Sequence, residues 1–87
     1  MSFERRMLDS AQSHARDNRS ELKKSTICGC FYCLATFQPI QVERWLNEGT
    51  GTAICPECQI DSVIGSASGL PVENAEFLQA MQSRWFS

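Results

Sequence analysis

Two cysteine-rich strings decide the fold of this chain: residues 28–33 read CGCFYC, and residues 55–58 read CPEC. Two residues separate Cys30 from Cys33, two separate Cys55 from Cys58, and twenty-one lie between the two pairs. A turn with this spacing lets both sulfur atoms face one point about 2.3 Å away, where a tetrahedral zinc ion binds. Two such turns predict one zinc site formed by four cysteines. Because four thiolates fill the coordination sphere, we expect the zinc ion to be structural.

Cys28 is the fifth cysteine, and its position leaves an alternative ligand open. One residue separates it from Cys30, and four separate it from Cys33. The two-residue gap of Cys30 and Cys33 is the usual knuckle spacing, so these two are the predicted ligands. Cys28 is then expected to be a half-buried free thiol. A redox role is the alternative, because a thiolate close to zinc has a lowered pKa.

The length and composition of the chain indicate a small globular protein. It has 87 residues, of which 43% are hydrophobic and 21% are charged, so wholesale disorder is not expected. A chain of this length obtains only marginal stability from its apolar core. Zinc binding fits that need, since it adds folding free energy on the order of 10 kcal/mol.

The odd number of cysteines favours a metal site over disulfides. The chain starts MSFERRM, which is charged at once and does not resemble a signal peptide. The sequence has no apolar stretch of the length needed for a membrane span. We therefore expect a cytoplasmic protein whose thiols stay reduced and which has no contact with a membrane.

The predicted fold class is α+β, with two cysteine knuckles and a short β-hairpin packed by three to four helices. Residues 1–25 form a predicted N-terminal helical arm, and residues 26–87 form a zinc-knuckle domain with a C-terminal helix. Within the arm, helical spacing over 2–16 is followed by a break near Asp17 and by a second helix over 19–25. Asn18 and Glu21 have the spacing of a capping box at its start.

Three further elements are predicted in the zinc domain. Pro39 suits the first turn of a helix, which would end before Gly49 as its C-cap. Residues 60–65 are expected to form a strand that pairs with the strand preceding Cys55. Apolar residues at helical spacing predict the last helix, over residues 72–85. The thin apolar stripe of residues 2–16 requires a surface to cover, on the zinc domain, a second copy or a partner.

The charge distribution suggests two kinds of partner. Residues 1–24 contain six basic and four acidic residues, whereas the remainder contains two basic and six acidic ones. A basic arm on an acidic body is able to contact phosphate, although its bias is weak for a dedicated nucleic-acid binder. The candidate residues for contact with a nucleic acid or a protein partner are Arg5, Arg6, His14, Arg16, Arg19, Lys23, Lys24 and Tyr32.

An enzyme is the least favoured prediction. Catalytic zinc sites keep an open coordination position, which four cysteines do not leave. His14 is the only histidine, and a nuclease-like activity would have to depend on it. The leading hypothesis is a non-catalytic structural-zinc protein that binds another protein, or a second copy of itself, as an adaptor or regulator. Nucleic-acid binding through the basic arm is the alternative.

Several strings resemble one known protein family. They are CGCFYC, Phe37, Trp45, TAICPEC at residues 52–58, IDSVIG at residues 60–65 and the terminal Trp85-Phe86. Over about residues 14–86 the chain resembles a family of small, largely uncharacterised bacterial and phage-associated cytoplasmic proteins with a treble-clef or zinc-ribbon-like core. The resemblance implies zinc and a bacterial cytoplasm, and no established reaction. Gln59 departs from the glycine that relatives place after the second knuckle.

Overall fold

The computed structural model describes residues 3–46 and 49–86, which form an α+β fold with two small antiparallel sheets. The larger sheet has the strand order β2-β1-β5, and the smaller one is a hairpin of β3 and β4. The α+β class is therefore confirmed. The helices are α1 (Arg5–Ala11), α2 (Arg19–Lys23) and α3 (Ala75–Phe86), and the strands are β1 (Cys28–Cys30), β2 (Thr36–Phe37), β3 (Trp45–Leu46), β4 (Thr52–Ala53) and β5 (Val63–Gly65). Short 3-10 helices cover Gln12–Ala15, Pro39–Gln41 and Ser66–Ser68.

Strand β1 lies at the centre of the larger sheet and leads directly into the first knuckle. Cys28 lies opposite Gly65 of β5, and Cys30 lies opposite Val63. Gly29 between them allows the strand to approach the segment before α3, and a side chain of α3, closely. A Cβ atom at this position would lie 2.5 Å from the carbonyl oxygen of Val72 and 3.0 Å from the Leu78 side chain. Such a distance is a steric clash, so a glycine is needed at this point of the strand.

The buried side chains of the described residues form two core clusters. The first joins the N-terminal segment to the C-terminal helix, through Leu8 and Ala11 of α1 and Phe77 and Met81 of α3. The second surrounds the knuckles, and its buried members are Leu22, Cys28, Cys30, Phe37, Val42, Ala53, Cys55 and Val63. The apolar stripe of the arm thus packs on the same chain. Whether the chain divides into two domains at residue 25 stays a prediction.

Polar contacts fasten the N-terminal segment to α3 at the surface. The Arg84 guanidinium donates to an Asp9 carboxylate oxygen at 2.7 Å, and the indole N–H of Trp85 donates to the Leu8 carbonyl at 3.1 Å. The Asn74 side chain accepts from the amides of Glu76 and Phe77, so it caps the start of α3. Among the described residues, no helix has the length and apolar content needed to cross a membrane.

The segment that follows Pro39 is not the helix expected from the sequence. It forms a single 3-10 turn, Pro39–Gln41, and then an extended chain that enters β3. Trp45 pairs with Ala53 in the hairpin. Gly49, with φ of 59°, lies in the turn of that hairpin and not after a helix. Val42 and Trp45 both reach the second cluster from extended backbone, which satisfies the apolar pattern without a helix.

Two further predictions named the wrong interaction partner, one for the strand after the second knuckle and one for the Asn18 side chain. The strand after the second knuckle begins at Val63 and pairs with β1, not with the strand before Cys55. The Asn18 side chain makes no capping bond to α2. It instead donates to the Val63 carbonyl at 2.8 Å and accepts from the Ala53 amide at 3.0 Å, so it joins β5 of one sheet to β4 of the other. The break at Asp17 is confirmed by its φ of 50°.

Candidate metal centre

Four cysteine sulfur atoms meet at one point between the two knuckles. The Sγ atoms of Cys30, Cys33, Cys55 and Cys58 all lie within 4.8 Å of one another. The Sγ atoms of Cys30 and Cys58 are 3.7 Å apart, and so are those of Cys33 and Cys55. With metal–sulfur bonds of about 2.3 Å, a regular tetrahedron has sulfur–sulfur edges of about 3.8 Å. The four side chains are therefore positioned to hold one metal ion.

The first knuckle is held by backbone hydrogen bonds on both sides of its turn. The Leu34 amide donates to the Cys30 carbonyl at 2.9 Å, and the Cys30 amide donates to the Ala35 carbonyl at 2.9 Å. The Tyr32 amide points inward and donates to the Cys30 sulfur at 3.4 Å. Leu34 adopts the left-handed backbone conformation, with φ of 66°. This turn directs both sulfur atoms of the pair to the same side.

The second knuckle repeats this geometry with a different sequence. The Gln59 amide donates to the Cys55 carbonyl at 2.9 Å, and the Cys55 amide donates to the Ile60 carbonyl at 2.9 Å. The Glu57 amide donates to the Cys55 sulfur at 3.4 Å. Gln59 has a φ of 66°, as Leu34 has in the first knuckle. A glycine adopts this conformation without strain, which explains why glycine would suit position 59.

Burial and hydrogen bonds shift the pKa values of three of these thiols, Cys30, Cys55 and Cys58. Burial raises the pKa of Cys55 to about 11 and raises that of Cys58 further. Burial alone would also raise the pKa of Cys30, but hydrogen bonds from Ser62 and from the amides of Cys33 and Tyr32 bring it below its usual value. A metal binds thiolates, so it displaces the protons that Cys55 and Cys58 retain.

Cys28 lies outside this group of four sulfur atoms. Its side chain is fully buried in the second core cluster, in strand β1. Burial raises the pKa of its thiol to about 12, so at neutral pH it is an uncharged apolar group. A neutral buried thiol is a weak nucleophile, which favours the packing role over the redox role.

Ser62 is a residue of the site that the sequence analysis did not identify. Its hydroxyl lies 3.1 Å from the Cys30 sulfur, and its carbonyl accepts from the Phe31 amide at 3.0 Å. The side chain is buried, and it supports the thiolate form of Cys30. The sequence places Ser62 next to the second knuckle, whereas the structure brings it to the first. Only the pairing of β5 with β1 creates this contact, and local spacing carries no signal for it.

The predicted contact residues of the arm are distributed over different surfaces. Arg19 and Lys23 line one groove, whereas Arg16 lines a different cavity. The remaining basic residues of the arm, Arg5, Arg6 and Lys24, are exposed.

The other two candidate contact residues make specific interactions of their own. The imidazole Nδ1 of His14 lies 3.0 Å from a Glu21 carboxylate oxygen, and His14 is not part of the cysteine group. Tyr32 is 44% exposed and contacts the ring of Phe86 edge to face, with the ring centres 4.8 Å apart. Its aromatic face therefore lies at the surface of the first knuckle.

No family model, no curated protein and no solved structure matches this chain.

Proposed function

We propose that this protein is a non-catalytic module, stabilised by one structural zinc ion, that binds another protein in a reducing cytoplasm. The single observation that supports it best is the group of four sulfur atoms that lie within 4.8 Å of one another, with two of their distances at 3.7 Å. Such a site uses every coordination position of the metal for protein ligands. The metal ion then contributes free energy to the folding of a small chain. The partner is bound by the protein surface around the metal site.

Zinc is the metal that this donor set favours. Sets of four thiolates in tetrahedral geometry are typical of zinc and of iron–sulfur sites. The amides of Tyr32 and Glu57 donate to the ligand sulfur atoms, and this hydrogen bonding supports their thiolate form. Two knuckles that contribute two thiolates each fit a zinc-ribbon-like or treble-clef core. We also propose that the chain belongs to the family that its sequence strings resemble. The same proposal includes a basic N-terminal arm that lies beside the zinc domain.

Exposed large apolar side chains support the binding of a protein. Aromatic residues are enriched at the centres of protein interfaces. Tyr32 and Phe86 contact each other at the surface and line one shallow cavity together with Gln82. Ile40 lies on another surface and is 85% exposed. Transfer of such apolar groups from water into an interface is favourable, so a partner that covers them forms a more stable complex.

Cross-linking followed by affinity purification from bacterial cytosol tests this proposal. The wild type is compared with Ile40→Asp and with the double variant Tyr32→Ser/Phe86→Ser, all with equal zinc content. We expect specific proteins to be recovered with the wild type and lost with one of the two variants. Recovery of the same proteins with all three forms contradicts the proposal. Turnover of a substrate that one point mutation abolishes contradicts it as well.

Nucleic-acid binding is the second candidate, because Arg19 and Lys23 lie beside Trp45 in one groove. Phosphate contacts by these side chains would make the affinity for DNA or RNA fall steeply with salt concentration. Titration of labelled single- and double-stranded oligonucleotides at two salt concentrations measures this dependence. Binding that is absent, or that does not change with salt, removes this candidate.

A further inference from the structure

A groove lies between α2, the 3-10 turn after β2 and the hairpin strand β3. Its volume is about 470 Å³, enough space for one large side chain and part of its backbone. The residues that line it are Arg19, Leu22, Lys23, Ser25, Thr26, Gln38, Pro39, Ile40 and Trp45. The groove is separate from the metal centre, since none of the four clustered cysteines lines it.

The base of this groove is apolar and fixed. Leu22 is 1% exposed and belongs to the second core cluster, so its position is set by the packing around the knuckles. Trp45 packs against the same cluster and is only partly exposed. Ile40 stands at the edge of the groove with almost all of its side chain in water. A partner side chain placed here would bury apolar surface on the base and on Ile40 together.

Among the described residues, the charged side chains that line the groove are both basic. They are Arg19 and Lys23, and no described aspartate or glutamate lines it. Within residues 3–46 and 49–86, neither of these two side chains forms an ion pair. The whole chain nevertheless has a net charge of −2, so this groove differs in sign from the protein as a whole. Such a local field attracts an acidic ligand.

The Arg19 side chain decides between two classes of acidic ligand. Its guanidinium lies over the Trp45 ring, 5.0 Å from the ring centre. One face of the indole is therefore covered, which hinders the stacking of a base that single-stranded nucleic acids require. A phosphate backbone also offers no apolar group that would cover the exposed aliphatic side chain of Ile40. An acidic peptide that contains an apolar residue is able to pair its carboxylates with Arg19 and Lys23 and to cover Ile40 with its apolar side chain.

We propose that this groove binds an acidic peptide segment, which inserts one apolar side chain between Ile40 and Trp45 and places carboxylates near Arg19 and Lys23. This inference rests on the proposed function as a protein-binding module and identifies one surface and the chemistry of its partner.

Titration with defined peptides tests the chemistry of the groove. The probe is the fluorescein-labelled peptide EDEDLDEDE, with EDEDSDEDE and KKKKLKKKK as references, followed by fluorescence anisotropy at low salt. Because exposed ion pairs and one buried apolar side chain each contribute modestly, we expect the probe to bind about tenfold more tightly than either reference. Amide shifts in NMR spectra of the zinc-loaded protein should map to Leu22, Ile40 and Trp45. Equal affinity for EDEDSDEDE, or no binding of the probe, overturns the inference.

Two neighbouring lysines provide a matched pair of variants. Lys23 lines the groove, whereas Lys24 is exposed beside it and does not. We expect Lys23→Glu and Ile40→Asp each to weaken binding of the probe roughly fivefold, and Lys24→Glu to change it much less. An equal loss with Lys24→Glu contradicts a specific site, because it indicates attraction by net charge alone. Tighter binding of a short oligothymidylate than of the peptide assigns the groove to nucleic acid and also overturns the inference.

The two proposals fail in different ways. If proteins are captured from cytosol and are lost only with Tyr32→Ser/Phe86→Ser, the module binds proteins through its aromatic surface and the groove inference is wrong. If no specific protein is captured by the wild type, the proposed function itself is wrong.

Discussion

The turn of the first knuckle places one of its enclosed side chains in the core, whereas the turn of the second knuckle does not. Phe31, between the ligands of the first knuckle, is 3% exposed and packs in the cluster that joins α1 to α3. The corresponding residue of the second knuckle is Pro56, which is partly exposed, whereas Tyr32 and Glu57, the other residue of each turn, are both exposed. The backbone hydrogen bonds of the two turns are nevertheless the same in kind and length. Cysteine spacing and backbone geometry thus produce the knuckle, and the residues inside it decide what the knuckle is attached to.

Because of this difference, we expect the metal to matter less for the position of the first knuckle than for that of the second. The first knuckle continues the central strand β1 and would keep part of its packing without a metal. The second knuckle connects β4 to β5, and its ligands Cys55 and Cys58 pack in the second core cluster, but neither residue between them belongs to a cluster. We infer that the metal ion mainly fixes the turn of the second knuckle, whose enclosed residues lie outside the core, to a first knuckle that Phe31 fastens to the core.

Loss of a ligand from either knuckle is the largest expected effect. Cys33→Ser and Cys58→Ser each leave three thiolates, and we expect both variants to lose zinc and most of the stability of the fold, which for a small domain is about 5–15 kcal/mol. Metal content and circular dichroism measure the two losses. Cys28→Ala is the matched control, because it removes a buried thiol outside the site and should retain zinc. A folded, zinc-loaded Cys58→Ser variant contradicts the four-ligand site.

Truncation inside each turn tests the difference in packing. Phe31→Ala removes a buried aromatic side chain, so we expect a loss of about 3–5 kcal/mol in the free energy of unfolding. Pro56→Ala should cost less than about 1 kcal/mol, since this side chain is partly exposed. Urea unfolding at a fixed concentration of free zinc measures both values. Equal losses in the two variants would mean that the knuckles have equivalent surroundings.

Asn18 supports the strands on both sides of the second knuckle, and its removal has a smaller expected effect. Asn18→Ala leaves the Ala53 amide and the Val63 carbonyl without their buried partner, at a cost of about 2 kcal/mol. Faster exchange of zinc with a metal-binding dye should accompany the loss, because β4 leads to the second knuckle. Asn74→Ala is the control, as it uncaps α3 at a cost of about 1 kcal/mol and should leave zinc exchange unchanged. Unchanged exchange in both variants contradicts the role of Asn18.

The smallest expected effect concerns the left-handed residue that follows each knuckle. Gln59→Gly relieves the strain at φ of 66° and removes only exposed hydrogen bonds, one from Arg44 and one to the Pro56 carbonyl, so we expect a stability gain of about 0.5–1 kcal/mol. Leu34→Gly relieves the same strain but also removes apolar packing against the core, so it should give no gain. Urea unfolding of the zinc-loaded variants compares the two. A loss of stability in Gln59→Gly would contradict the account of this turn.

The parts of the molecule that could be predicted from sequence are those with local causes. The pairing of Cys30 with Cys33 and of Cys55 with Cys58 follows from spacing, and the end of the first helical segment follows from the break at Asp17. The four thiols that lie together in the structure are those that the spacing pairs, and Cys28 lies outside their group.

The parts that sequence reasoning missed depend on distant contacts. Pro39 and the apolar residues after it fit a helix locally, but pairing of Trp45 with Ala53 draws the chain into a hairpin. Asn18 has the pattern of a cap, yet it bonds to strands that lie far along the chain. The position of Ser62 at the Cys30 sulfur likewise depends on which strand β5 joins. Periodicity and capping rules concern residues that are close in sequence, so they do not identify contacts between residues that are far apart in the chain.

Native mass spectrometry of the protein expressed in bacterial cytosol, before and after a strong chelator, tests the central claim most directly. We expect one zinc ion per chain, and its removal should convert the narrow charge-state distribution of a folded protein into the broad one of an unfolded chain. A metal-free mass that is reduced by the hydrogens lost in disulfide formation, with a folded charge distribution, would contradict the metal centre and the account of the fold that depends on it.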